Sequence, residues 1–219
     1  MIKSLKILIA DDHEVVRQGV RTIVESQTGW RVVAEAGNGL DAVTQALEIK
    51  PDVILLDISM PELNGLEAAK QILKQLPDTQ VLILTMHESD ELVREVLAAG
   101  ARGYVLKTDA KRDLVNAVRS LSENRPFFTS RVAEMVLDGF RHGQSPAKPE
   151  VPAGDRLTSR ERQIVQLLAE GKTSKEIATA LDISTKTADT HRANLMRKLN
   201  LHSLADIVRY AIRNKMIEP

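Results

Sequence analysis

Asp52-Val53-Ile54-Leu55-Leu56-Asp57-Ile58-Ser59-Met60-Pro61 is the stretch on which the fold turns. Val53 to Leu56 is apolar without a break, and the run ends in a carboxylate. A short apolar run bounded by polar residues reads as a strand buried on both faces. Asp57 then stands at the carboxyl end of a central strand, the edge on which open α/β sheets bind ligands. Met60-Pro61 and Asn64-Gly65 stop the strand and turn the chain.

Three more runs have the same form. Ile7 to Ala10 ends in Asp11-Asp12, Val81 to Leu84 ends in Thr85, and Tyr104 to Leu106 ends in Lys107. If these strands are parallel neighbours, three carboxylates, a hydroxyl and an ammonium converge on one rim. Arg31 to Ala36 reads as a further strand. Helical patterns separate the runs at residues 13 to 26, Gly39 to Lys50, Gly65 to Leu76, Asp90 to Ala99 (ended by Gly100) and Lys111 to Leu121. Strands joined by helices of that length imply right-handed crossovers and a parallel sheet. Residues 1–122 are therefore expected to form a five-stranded, doubly wound α/β domain of flavodoxin-like type.

The rest of the chain has a different texture. Residues 123–155 read as a linker, with an amphipathic helix expected over Ser130 to Phe140 and a Pro/Gly-rich segment from His142 to Gly154. Residues 156–219 are helical throughout. Thr158-Ser159-Arg160-Glu161 and Thr173-Ser174-Lys175-Glu176 have capping-box spacing. Ser184 is an expected N-cap for a long polar helix running to Leu199, and Ser203-Leu204-Ala205-Asp206 opens a fourth. Two helices on a short link, the second polar and basic, match a helix-turn-helix.

Composition limits the chemistry. Hydrophobic residues make up 43% of the 219, enough for real cores, and aromatics only 3%, so those cores are aliphatic. There is no cysteine, which removes disulfides, thiolate catalysis and thiolate zinc sites and fits a reducing cytoplasm. No run is long enough to span a membrane. The net charge is +0, but residues 156–219 carry 12 Lys/Arg against 7 Asp/Glu. An acidic half joined to a basic half points to a polyanion partner for the second half alone.

These residues carry a resemblance. Asp11-Asp12, Asp57 with Met60-Pro61 and Gly65, Thr85 and Lys107 resemble the receiver domain of bacterial two-component response regulators. Leu157 to Glu161, Gly171 to Ala178, Thr187 with His191, and Arg197-Lys198-Leu199 resemble the LuxR-type helix-turn-helix. Together the halves look like a NarL/FixJ-type response regulator, a transcription factor rather than a metabolic enzyme.

The resemblance implies Asp57 as phosphoacceptor and a sensor histidine kinase as phosphoryl source. Three crowded carboxylates call for a divalent cation, since one such pair at about 4 Å repels by roughly 4 kcal/mol at an effective dielectric of 20. All-oxygen ligands favour Mg²⁺. The family implies Asp12, Asp57 and the Ser59 carbonyl as direct ligands, with Asp11 acting through water. Lys107 offsets charge on the transferring oxygens. Thr85 can donate to a phosphoryl oxygen, and Tyr104 is the implied switch aromatic that follows it. Ser59 and His87 flank the site, and Met86 stands where many receivers place a smaller residue.

In the second half, Lys172, Lys175, Arg192 and Arg197 are candidates for DNA phosphate contacts. Lys186, Thr187, Asp189, Thr190 and Ala193 complete the face expected in the major groove. Family members often have Val and then Lys or Glu where this chain has Ala188 and Asp189. Asp189 can accept from cytosine N4 and Thr190 can touch a thymine methyl. His191 has no second His or Cys at metal spacing. Leu204, Val208 and Ile212 are candidates for a homodimer interface matched to a two-fold operator. A phosphohydrolase forming an aspartyl phosphate is the rival reading; such enzymes commonly want an acid where this chain has Ser59. A protein-interaction adaptor with a degenerate helix-turn-helix is disfavoured by the basic second half.

Overall fold

The computed structural model describes residues 4–86, 90–128, 157–214 and 216–217. Its first half alternates strictly: β1 (Leu5–Ala10), α1 (Glu14–Glu25), β2 (Trp30–Ala36), α2 (Gly39–Ile49), β3 (Val53–Asp57), α3 (Gly65–Gln75), β4 (Gln80–Thr85), α4 (Asp90–Ala98), β5 (Gly103–Leu106) and α5 (Ala110–Ser122). A 3₁₀ turn, Lys107–Asp109, joins β5 to α5. The strands form one parallel sheet in the order β2-β1-β3-β4-β5, so β3 is central.

The unbroken apolar runs follow from two covered faces. Leu8, Ile54, Leu56, Ile83 and Tyr104 join the core on one side. Ile7, Ile9, Leu55, Leu82 and Val105 join the core on the other, with α1 and α5. Side chains alternate along a strand, so a strand covered twice must be apolar at every position. The apolar cores end with the strands, and the polar residues collect at that rim, where Asp11, Asp57 and Thr85 are still buried.

Close backbone approach positions the rim. A Cβ on Gly65 would lie 1.9 Å from the Asp57 carbonyl oxygen, and one on Gly39 1.9 Å from that of Leu63. The β3–α3 loop is folded back between them, and only glycine fits at either place.

Element boundaries differ from expectation by about a residue. Trp30 joins β2 because it pairs with Leu5, and α5 starts at Ala110 and ends at Ser122. Packing against the sheet also continues past residue 122: Phe127 bridges Gly103, and Phe128 lies against the core. No periodic signal marks so short an addition. The helix expected over Ser130 to Phe140 and the Pro/Gly-rich segment lie outside the described residues.

The second half comprises α6 (Ser159–Ala169), α7 (Ser174–Ala180), α8 (Thr185–Lys198) and α9 (Leu204–Arg213). Both capping boxes form, on Thr158 with Glu161 and on Thr173 with Glu176. Ser184 caps α8 and Ser203 caps α9 through their side chains. A separate core holds Ile164, Val165, Leu168, Ile177, Leu195 and Ile207. Asp182, at φ 49°, makes the tight link between α7 and α8.

Candidate functional site

Asp11, Asp57, Thr85 and Lys107 meet at the carboxyl rim of the sheet. Parallel register brings them level: Ala10 pairs with Leu56, Asp57 with Leu84, and Thr85 with Leu106. Asp11 is 1% and Asp57 3% exposed. The Lys107 ammonium lies between them, 2.7 Å from Asp11 Oδ2 and 2.9 Å from Asp57 Oδ2. Neither of those oxygens has a well-formed hydrogen bond among the described residues, so this ammonium is the charge that faces them. Asp57 Oδ1 accepts from the Ile58 N–H at 2.8 Å, and Asp11 Oδ1 from the His13 N–H at 2.9 Å.

The electrostatics follow from burial. Burial pushes the Asp57 carboxyl from an ordinary 3.8 up to about 6; Lys107 opposes the shift and Asp11 adds to it. Burial alone lowers Lys107, but its bonds to Asp11 and Asp57 outweigh that and hold it above its ordinary value. Lys107 stays charged, and Asp57 is mostly ionised at neutral pH although it is buried.

Asp11, Asp12, His13 and Asp57 place ligand atoms within 4.8 Å of one another. Two buried carboxylate oxygens without full hydrogen bonding, beside the exposed Asp12 carboxylate, suit a hard cation that keeps some of its water. His13 Nδ1 lies 2.7 Å from Asp12 Oδ1. The sequence reading did not single out His13; its place next to the Asp pair was the available signal. Nor did it single out Arg17, whose guanidinium donates to the Asp11 carbonyl at 2.7 Å and fixes the β1–α1 turn.

Ser59 is half-buried two residues beyond Asp57. Thr85 is buried at the end of β4, and Tyr104 is fully buried on β5. Met86 is 56% exposed beside Thr85 and lines no core. His87 lies outside the described residues.

The DNA-binding candidates share another character. Lys172, Lys175, Lys186, Thr187, Asp189, Thr190, Arg192, Ala193 and Arg197 are all exposed, while Ala188 and Leu195 anchor α8 to its core. His191 is half-buried. Thr187 bonds the Ser184 cap through both its N–H and its hydroxyl, so part of its bonding capacity is spent on the helix start. Lys198 pairs with Glu161 at 2.7 Å and braces α8 against α6. On α9, Ile207 and Ala211 are buried in the core, Leu204 is exposed, and Val208 and Ile212 are half-buried.

The two halves touch where no motif announced it. Gln166, 1% exposed on α6, donates to the Met60 carbonyl at 2.8 Å and accepts from the Asn64 N–H at 2.9 Å. Glu170 accepts from the Glu62 N–H at 3.0 Å. The only hint in the sequence was a glutamine inside the apolar run Ile164 to Leu168.

Comparison with known proteins agrees with this layout. A family model of the response regulator receiver domain matches residues 7–119, and one of the bacterial regulatory proteins of the luxR family matches residues 155–211. The transcriptional regulatory protein LiaR of Bacillus subtilis is 39% identical over 213 residues, covering 97% of this chain and 99% of that protein. The oxygen regulatory protein NreC of Staphylococcus epidermidis is 38% identical over 218 residues, 98% of this chain and 100% of that one. Among solved structures, the RcsB response regulator–DNA complex is 26% identical with TM-score 0.56, over 94% of this chain and 97% of that one.

Proposed function

The chain belongs to the two-component response regulators that join a receiver domain to a LuxR-type DNA-binding domain, and on that premise we propose which of its residues do the work. It is a transcription regulator rather than a metabolic enzyme. Asp57 is the phosphoacceptor. One carboxylate oxygen attacks phosphorus, the bond to the donor breaks, and the donor leaves with the bonding electrons. The donor is a sensor histidine kinase in the cytoplasm; small acyl phosphates such as acetyl phosphate substitute for it in vitro.

The observation that carries this reading is the pairing of buried Asp57 with Lys107 at 2.9 Å on the central strand. The ammonium faces the oxygen on which charge must be offset as the phosphoryl group transfers. Asp12, Asp57 and the Ser59 carbonyl, with Asp11 through water, are the proposed holders of Mg²⁺. When bound, the ion neutralises the carboxylates and the equatorial phosphoryl oxygens. Thr85 donates to a phosphoryl oxygen from the end of β4. Tyr104, fully buried in the core on β5, is the proposed switch aromatic that follows Thr85.

The output is DNA binding. α8 enters the major groove of a two-fold operator. Lys172, Lys175, Lys186, Arg192 and Arg197 neutralise phosphates, and Thr187, Asp189 and Thr190 face base edges. Leu204, Val208 and Ile212, an i, i+4, i+8 stripe outside the core, form the homodimer contact of the phosphorylated protein. Domains at 1–122 and 156–219 are the functional units.

Labelling by radioactive acetyl phosphate is expected in the wild type and absent in Asp57→Ala. Operator affinity with and without beryllofluoride then tests the switch. Undiminished labelling of the variant relocates the acceptor; equal affinities make the protein a constitutive binder.

A further inference from the structure

His13 stands at the start of α1, where a helix wants a hydrogen-bond acceptor, and its side chain does not serve as one. Its backbone is extended, at φ −90° and ψ 107°, as a capping residue's is, but no cap bond forms from the ring. Asn38 and Asn64 hold the same place in the next two loops of the rim, ahead of α2 and α3. Both accept from the N–H three residues on. Asn is among the side chains that favour this position, and His is not. The imidazole is turned instead toward the carboxylates. Its Nδ1 lies 2.7 Å from Asp12 Oδ1 and 3.5 Å from Asp11 Oδ1.

The β1–α1 turn holds the ring there. The His13 N–H donates to Asp11 Oδ1 at 2.9 Å, the Arg17 guanidinium to the Asp11 carbonyl at 2.7 Å, and the Arg17 N–H to the His13 carbonyl at 3.0 Å. The main chain is thus tied on both sides of Asp12. Lys107 meets the other oxygen of Asp11, Oδ2, so ring and ammonium do not compete for one place.

These distances fit ligands of a single ion. Two ligand atoms at right angles on an octahedral cation, with bonds of about 2.1–2.2 Å, stand about 3 Å apart. The separation of His13 Nδ1 from Asp12 Oδ1 is of that size. Ligand atoms of Asp11, Asp12, His13 and Asp57 all lie within 4.8 Å of one another. Asp11 Oδ2 and Asp57 Oδ2, buried without a well-formed hydrogen bond among the described residues, have lone pairs to offer as well.

An imidazole changes what such a site prefers. Mg²⁺ takes hard oxygens and keeps its waters, whereas first-row transition ions accept imidazole readily. In the metal-free protein the Nδ1–H donates to Asp12. To bind an ion, the ring takes its Nε2–H tautomer and turns the Nδ1 lone pair inward.

We propose that His13 is a nitrogen ligand of the rim cation, and that through it the site binds a first-row transition ion more tightly than Mg²⁺. This rests on the rim being the cation site of phosphoryl transfer; Mg²⁺, held by oxygens alone, uses the same site without the ring.

The test titrates the full chain with Mn²⁺, read by loss of the free-ion electron paramagnetic resonance signal, and with Mg²⁺, read by displacement of Mn²⁺. Wild type is expected to hold Mn²⁺ ~10-fold or more tightly than Mg²⁺. His13→Ala is expected to lose ~10-fold or more in Mn²⁺ affinity, as disturbing a metal's ligands commonly does, and to stay within twofold for Mg²⁺. His13→Asn gives α1 a capping side chain and should behave the same, which separates the ligand role from helix stability. Pulsed resonance of bound Mn²⁺ should show coupling to an imidazole nitrogen in wild type and none in either variant. Wild type without that coupling, coupling that survives in His13→Ala, or Mn²⁺ no tighter than Mg²⁺ in wild type would each overturn the proposal. Variants that lose both ions alike would overturn it too, leaving His13 as a hydrogen-bond support for Asp12. Asp12→Asn tests the site itself: Mn²⁺ affinity equal to wild type would take the ion off the rim, and the reading of the rim as a cation site would fall together with His13.

Discussion

The rim of the sheet and the face of α8 both carry charge, and they use it in opposite ways. At the rim, Asp11 and Asp57 are nearly dry, and the Lys107 ammonium lies 2.7 Å from one and 2.9 Å from the other. On α8, Lys186, Asp189 and Arg192 are exposed to water. Charges out of water interact strongly and change their proton affinity. Charges in water are screened and act mainly on a distant polyanion. One region can therefore be switched by a single group, while the other supplies steady attraction.

Removing Lys107 should show the contrast most strongly. Lys107→Met leaves Asp11 and Asp57 facing each other without their cation. Breaking such a buried pair is expected to cost ~3–5 kcal/mol of stability in metal-free protein, read by urea unfolding. A loss near zero would mean that the rim is as well solvated as α8, and the contrast would fail.

A pH series sharpens the same point. The folded Asp57 carboxyl is raised from 3.8 to about 6, mainly by burial. A raised carboxyl adds stability in its protonated form at low pH and loses it as pH rises through about 6. In metal-free protein, the advantage of Asp57→Asn over wild type should therefore grow across that window, by roughly 3 kcal/mol at 1.36 kcal/mol per pKa unit. An advantage that stays flat with pH would show Asp57 to be hydrated.

The smallest effect belongs to the exposed face. Arg192→Ala should leave thermal stability within about 0.5 kcal/mol, as exposed substitutions generally do. It should weaken operator binding and reduce the salt dependence by about 0.9 in log–log slope, one phosphate contact. An unchanged slope would take Arg192 off the DNA.

Much of this was legible in the chain. Runs such as Val53 to Leu56 had to be strands covered on both sides, and the polar residue after each run named the rim. Asp11, Asp57, Thr85 and Lys107 were found this way because a parallel sheet puts all its strand ends on one edge. Thr158, Thr173 and Ser184 announced helix starts, since a cap is local chemistry. Tyr104, read as a switch aromatic, proved wholly buried, a matter of neighbours rather than pattern. Phe127 on the β5 edge and His13 against Asp12 went unread for the same reason.

The residues alone determined two domains, a carboxylate-rich rim and a basic helix-turn-helix, because periodicity, capping and charge balance are written along the chain. Only the tertiary structure decided that Gln166 and Glu170 grip the loop after Asp57, that Lys107 bridges two carboxylates, and that α8 stays open. The grip on the loop joins residues about a hundred positions apart through the main-chain atoms of Met60, Glu62 and Asn64. Every residue has such atoms, so no side-chain pattern records which of them will meet.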